Sequence, residues 1–246
     1  MEASLRNELA SIIAFALDPL DGKHNSLFID CLINFFQRKS ADSNTKANKL
    51  PINFVRKLLY AMLAYHEDQP NVVRVNRSHI RVKGSVSRGD LTVVGDLHGQ
   101  FEDFAQIFQN PKLGGFPLAK NQFIFNGDMV DRGTMGLEIM VVLMFCNMLY
   151  PHSVVILRGN HETRTMTEKY GFKQEVEAKY SLKLYEDFMK YFDALPLAAV
   201  VDDTVFVTHG GIGTAVMSLS IDDINKVNRR CEVQPNSVAW DLLWAG

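Results

Sequence analysis

The sequence predicts an α/β fold with largely parallel strands. From residue 91 onward, short apolar runs alternate with segments of helical length. The runs are unbroken, as strands buried on both faces are. Each of them closes on a turn rich in glycine, aspartate or histidine. In chain order, Leu5, Leu9, Ile12 and Ile13 share one helical face, and Asp18-Pro19 with Asp21-Gly22 ends that helix. Leu27 to Arg38 is a second apolar-rich helical segment, and Ser40 to Lys49 is polar throughout, as a linker is. Residues 1–49 therefore read as a helical N-terminal extension with a polar linker, and 50–246 as the main domain. Pro51 suits the first turn of a helix running to about His66. Leu91–Gly95, Phe123–Gly127 and Val154–Leu157 are the strand segments. They lead into helices at Phe101–Phe108, at Leu137–Tyr150 and over a long region from Glu175 to Phe192. Leu197–Val201 and Val205–Thr208 flank Asp202-Asp203 as a strand–turn–strand.

Composition narrows the function classes. The chain has 246 residues, 47% hydrophobic and 22% charged, a balance that excludes a mainly disordered protein. Lys and Arg number 26 against 28 Asp and Glu, without the cationic excess that phosphate-backbone binding needs, so no nucleic-acid partner is expected. The longest apolar run, Ile139 to Cys146, falls far short of the ~20 residues that span a bilayer, so no membrane partner is expected either. The first eight residues carry two acids, the wrong sign for a secretory leader. Cys31, Cys146 and Cys231 form neither a disulfide framework nor a CxxC site. A reducing compartment, cytoplasmic or nuclear, is the expectation.

The chemistry lies at the strand ends. Gly95-Asp96-Leu97-His98-Gly99 follows the first strand segment, and Gly127-Asp128-Met129-Val130-Asp131-Arg132-Gly133 the second. Arg158-Gly159-Asn160-His161-Glu162 follows the third, and His209-Gly210-Gly211 a later one. Ligands of open α/β sheets bind at the carboxyl ends of strands, so four such clusters should converge. Carboxylate, amide and imidazole together suit Mn, Fe or Zn better than Ca. Asp96 and His98 supply an oxygen and a nitrogen from one turn, Asp128 is placed to bridge two ions, and Asn160 and His209 are candidates for the second. Two such ions activate a water and hold an in-line displacement at phosphorus. Arg132 offers a fork for phosphate oxygens, His161 a proton for the leaving oxygen, and Asp131 a group to orient it. Singly, each of these residues has an ordinary explanation as a turn, cap or surface group; four clusters in order at strand ends do not. His24, His66, His79 and His152 read as surface or satisfied histidines. Trp240 and Trp244 read as packing residues.

Val94-Gly-Asp-Leu-His-Gly-Gln100, Asn126-Gly-Asp-Met-Val-Asp-Arg-Gly133 and Leu157-Arg-Gly-Asn-His-Glu162 resemble the signature motifs of the phosphoprotein phosphatase family of metal-dependent serine/threonine phosphatases. Tyr170-Gly-Phe172 and Ala178-Lys-Tyr180 look most like its type-5 subtype, with the EF-hand-type enzymes second. The likeness runs from about residue 50 to 244 and leaves 1–49 outside it. It implies a calcineurin-like metallophosphoesterase β-sandwich flanked by helices. Asp96, His98 and Asp128 would hold one metal, and Asp128, Asn160 and His209 the other. His161 would be the proton donor, Asp131 its partner and Arg132 a phosphate clamp. The implied activity is hydrolysis of phosphoserine and phosphothreonine in proteins, with phosphoprotein substrates and regulatory protein partners. The alternative is a weak or dead relative that only binds partners. Family members continue past Leu-Leu-Trp with Ser-Asp-Pro and a further stretch carrying another metal-binding His, a second phosphate-contacting Arg and a rim Tyr. Here Ala245-Gly246 follows Trp244, so the catalytic domain is expected to be curtailed at its C-terminus, with one ligand fewer for the second ion.

Overall fold

Two small sheets face each other because side chains alternate along their strands. A computed structural model of the chain describes residues 22–40, 48–77, 79–82, 85–118 and 120–245. The strands are β1 (Val72–Val75), β2 (His79–Val82), β3 (Ser85–Arg88), β4 (Asp90–Val94), β5 (Asn121–Phe125), β6 (Val154–Ile156), β7 (Ala198–Val201) and β8 (Val205–Thr208). The helices are α1 (Gly22–Ser40), α2 (Ile52–Glu67), α3 (Phe101–Gln109), α4 (Gly136–Leu149), α5 (Arg164–Tyr170), α6 (Phe172–Lys179), α7 (Leu182–Ala194), α8 (Ile221–Asn225) and α9 (Val238–Trp244). The helix expected over Leu5–Leu17 and most of the polar stretch 40–49 lie outside the described residues.

One sheet has the order β4-β5-β6, all parallel, with Val94 opposite Phe125 and Phe125 opposite Ile156. The other has the order β1-β7-β8, with β1 and β7 parallel and β8 returning antiparallel to β7. Strand alternation sorts the core into three layers. Phe123 and Phe125 of β5 and Val154 and Ile156 of β6 point into a large cluster shared with α1 to α4, α6 and α7. Ile124 and Leu157 point the other way and meet Val73, Val75, Ala199 and Val201 between the sheets. Val72, Ala198 and Val200 face outward again, toward α8 and α9. The molecule is thus helices, sheet, sheet, helices, the α/β sandwich the sequence predicts. Helix α4 is apolar all round because it is buried from Gly136 to Asn147. Phe28 to Phe36 of α1 belong to the same cluster as α4. Among the described residues no helix is long and apolar enough to cross a membrane.

The structure departs from the sequence reading in three places. The helical region over Glu175–Phe192 is two helices: Tyr180 leaves helical geometry, and Ser181 caps α7 by accepting a hydrogen bond from Leu184 N. Strand β1 and the β2–β3 hairpin were not anticipated. His66 is neither exposed nor satisfied, for it is buried against Tyr65 and Tyr191 with no hydrogen-bond partner on either ring nitrogen.

Candidate active site

Four strand ends meet through their backbones before any side chain is considered. Leu97 N and His98 N both donate to Asp128 O at 2.9 Å, and Gly99 N donates to Met129 O. Gly133 N donates to His98 O, Asn126 N to Val94 O, and Leu157 N to Phe125 O. These bonds stitch the loops after β4, β5 and β6 together. Asn126 Nδ2 reaches Thr208 O at 3.0 Å and brings in the loop after β8.

So close a junction demands special backbone. Gly127 has φ +88, and a Cβ there would sit 2.4 Å from Gly159 Cα; one on Gly159 would sit 2.3 Å from Asp128 Oδ1. These two glycines let the loops after β5 and β6 touch, as Gly99 and Gly133 do for the loops after β4 and β5. Four residues with side chains, His98 (φ 43), Asp128 (φ 56), Asp131 (φ 71) and Arg132 (φ 63), occupy the left-handed region. Each costs on the order of 1 kcal/mol or more and persists because its surroundings over-determine it. All four come from the sequence-predicted set.

The side chains converge on Asp128. His209 Nε2 lies 3.3 Å from Asp128 Oδ1, and His98 Nε2 lies 3.5 Å from Asp128 Oδ2 and 3.6 Å from Asp96 Oδ2. His161 Nε2 is 4.0 Å from Asp128 Oδ2, and the His98 and His161 rings meet edge to face at 4.6 Å. Two ligand groups result: Asp96, Asp128 and His209; and His98, Asp128 and His161. Asp128 belongs to both, as a bridging carboxylate must. Asp96 is exposed, whereas His98, Asp128 and His161 are buried.

The histidines are oriented from behind. His98 Nδ1 lies 3.0 Å from Val130 O, and His209 Nδ1 lies 2.8 Å from Asn126 O. A carbonyl accepts only, so each Nδ1 carries a proton, which leaves each Nε2, on the carboxylate side, as the atom that could bind a cation. Buried His98 Nε2 and Asn160 Oδ1 have no hydrogen-bond partner. Orphaned lone pairs beside clustered carboxylates are what a divalent cation satisfies, so the residues present fit metal. His161 is held differently. Its Nδ1 donates to Asp131 Oδ2 at 2.7 Å, and the other oxygen of Asp131 accepts from Phe172 N at 2.8 Å. Arg132 stands exposed at the rim. All eight sequence-predicted residues, Asp96, His98, Asp128, Asp131, Arg132, Asn160, His161 and His209, thus lie on these four loops.

Two supporting residues had no role assigned from the sequence. The fully buried Glu162 carboxylate accepts from Asp128 N (2.8 Å), Met129 N (2.9 Å) and Gly159 N (2.9 Å). Burial first and the Asp128 charge second push its pKa up, against those three donors. Fully buried Arg158 donates to Glu162 O at 3.0 Å and to Asp193 Oδ1 at 2.6 Å, pinning the Asn160–His161 turn. Both stand inside the Arg158-Gly-Asn-His-Glu162 stretch beside the candidate ligand Asn160, and that adjacency was the available signal.

Comparison with known proteins agrees with this geometry. A family model described as calcineurin-like phosphoesterase matches residues 90–246. Human serine/threonine-protein phosphatase 5 is 43% identical over 155 residues, covering 63% of this chain and 30% of that protein. Serine/threonine-protein phosphatase T of Aspergillus oryzae is 35% identical over 220 residues, covering 88% of this chain and 42% of that protein. The phosphatase 4 catalytic subunit of Kluyveromyces lactis is 42% identical over 156 residues, 63% of this chain and 49% of that subunit. A solved Saccharomyces cerevisiae serine/threonine phosphatase, described as similar to human PP5, superposes with a TM-score of 0.73 at 28% identity, over 86% of this chain and 64% of that one. The chain therefore spans less than half the length of these curated relatives.

Proposed function

This chain belongs to the calcineurin-like phosphoesterase family, and from that premise we propose that its strand-end site hydrolyses phosphoserine and phosphothreonine esters in proteins. The observation that carries the reading is the shared carboxylate of Asp128, flanked by His98 and His209 with their Nε2 atoms turned toward it. Asp96, His98 and Asp128 would hold one divalent ion, and Asp128, Asn160 and His209 a second, with Mn, Fe or Zn matching the mixed donors. When bound, such a pair supplies an acidified water and positive charge against the phosphate oxygens.

The protein's own groups do the rest. Water attacks phosphorus, the bond to the serine or threonine oxygen breaks, and that oxygen takes a proton, giving alcohol and inorganic phosphate. His161 is the proton donor at Nε2. Its Nδ1–H is held by Asp131, which fixes the ring with Nε2 toward the site. Arg132, on the same loop as Asp131, offers a planar fork to the phosphate. The relatives' names, all serine/threonine phosphatases, support proteins as the substrates. A phosphoserine peptide incubated with purified chain and Mn²⁺ should release phosphate, and the same reaction with Asp128→Asn should not. Metal binding without release from the unaltered chain would instead support a partner-binding relative.

A further inference from the structure

Helix α4 begins with a defect that a neighbouring helix repairs. Its N-cap, Met135, makes no side-chain capping bond, so its first N–H groups need partners from elsewhere. Glu175 of α6 supplies them: Gly136 N donates to Oε2 at 3.2 Å and Leu137 N to Oε1 at 2.9 Å. A carboxylate at that end also matches the helix dipole. Lys179, one turn on, donates to Thr134 O at 2.6 Å, to Glu138 Oε2 at 2.5 Å and to Glu175 Oε1 at 2.7 Å. Nearer the site, Phe172 N binds Asp131 Oδ1, and Arg132 N donates to Tyr170 O at 3.0 Å. The loop from Asn126 to Met135 is thus fastened along its second half to one short helix and the residues just before it. Within that half, Asp131 and Arg132 sit in left-handed backbone that would relax if released.

We propose that α6 is a clamp for this loop, with Glu175 and Lys179 as positioning residues that hold the His161–Asp131 pair and the Arg132 fork in register. The role rests on the hydrolase reading above. The clamp has a second end. Lys49 Nζ donates to Lys179 O at 2.6 Å, and Tyr180 Oη donates to Leu50 O at 2.8 Å, so the segment leading into α2 is tied to the same helix that holds the loop. Neither Glu175 nor Lys179 touches the candidate metal ligands: Glu175 acts through the backbone of Gly136 and Leu137, and Lys179 through Thr134 O and the Glu138 and Glu175 carboxylates.

The test uses the full chain with Glu175→Ala and the conservative Glu175→Gln, which keeps one accepting oxygen. In metal-free protein, the His161 Nδ1 proton is followed by NMR and its exchange with water measured. In Mn²⁺-loaded protein, metal content, kcat and KM on a phosphoserine peptide are measured. Glu175→Ala should leave metal content unchanged, speed His161 proton exchange at least tenfold and lower kcat by ~10–100-fold, the scale of a small misplacement of reacting groups. Glu175→Gln, which loses one of the two accepting oxygens, should recover only part of both and leave exchange a few-fold faster than wild type. A folded Glu175→Ala protein with wild-type exchange and wild-type kcat overturns the clamp, as does a fall in kcat that tracks thermal stability while exchange stays unchanged. If Glu175→Ala does not fold, Glu175→Gln decides alone: exchange a few-fold faster than wild type supports the clamp, and equal exchange overturns it. Should the unaltered chain release no phosphate while His161 exchange still responds, the hydrolase reading fails and the clamp stands.

Discussion

The carboxyl ends and the amino ends of β5 and β6 offer two hollows of opposite character. At the carboxyl ends, four loops press together until backbone meets backbone, and the polar atoms left over aim at one carboxylate. At the amino ends lies a cavity of about 1080 Å³ between α2, β1 and β6, walled by Val73, Val75, Val155 and Ile156. That cavity also has orphaned polar atoms on its lining residues, both His66 ring nitrogens and Asn147 Oδ1. Yet His66 is packed between the rings of Tyr65 (5.0 Å) and Tyr191 (5.6 Å), with the Arg229 guanidinium donating to its carbonyl at 2.7 Å. The same residue type is a candidate ligand at one end and a burden at the other. What distinguishes the carboxyl end is the convergence of His98 and His209 Nε2 on one shared carboxylate.

Substitution should split the two ends sharply. The largest effect belongs to Asp128→Asn, because a neutral amide bridges two cations poorly. Mn²⁺ affinity at both positions should fall by more than the ~10–100-fold typical of an outer-shell partner, read by elemental analysis after dialysis. Full metal retention would remove Asp128 from the bridge. Next comes His161→Asn, expected to slow turnover ~10²–10⁴-fold with metal content unchanged. Since His161 Nε2 lies within ligand reach of Asp128, loss of metal alongside activity would make it a ligand instead.

Changes at the other end should leave turnover alone. His66→Leu replaces an unsatisfied buried imidazole with an apolar side chain and should raise stability by about 1 kcal/mol in urea melts. It should also alter the acid limb. Burial, with help from Arg229, lowers the His66 pKa from 6.5 to about 3, so the unfolded chain binds the proton more readily. The stability this residue permits is complete above about pH 6.5 and drains away as pH falls toward 3. The difference between wild-type and His66→Leu melts should therefore widen over that window, and a constant difference would contradict the burial argument. Smallest of all is Arg74→Ala. Its ion pair with Asp203 is exposed on both sides, so neither melting midpoint nor turnover should move measurably.

Much of the carboxyl end was legible in the sequence because its information is local. Leu91–Gly95, Phe123–Gly127 and Val154–Leu157 read as buried strands, and the ligand types stand within a few residues of their ends. The unread parts depend on distant partners. Val72–Val75 is short and interrupted by Arg74, and becomes a strand only by pairing with Ala198–Val201. The break at Tyr180 hangs on one serine cap, and His66 looked ordinary because nothing beside it announces Tyr191. Glu175 gave no hint of its bonds to Gly136 and Leu137, 38 or more positions away, which only the packed helices create.

The left-handed residues at the site carry a consequence for anyone improving this protein. Glycine at position 98, 128, 131 or 132 would remove the steric cost at that position and, for the backbone alone, stabilise the fold. At buried His98, Asp128 and Asp131 the side-chain hydrogen bonds outweigh that relief, but a library selected only for survival of heat would drift toward glycine at exposed Arg132 and erase the proposed phosphate fork. Selection for activity has to be imposed alongside, because here thermal robustness and chemistry pull the same codon in opposite directions.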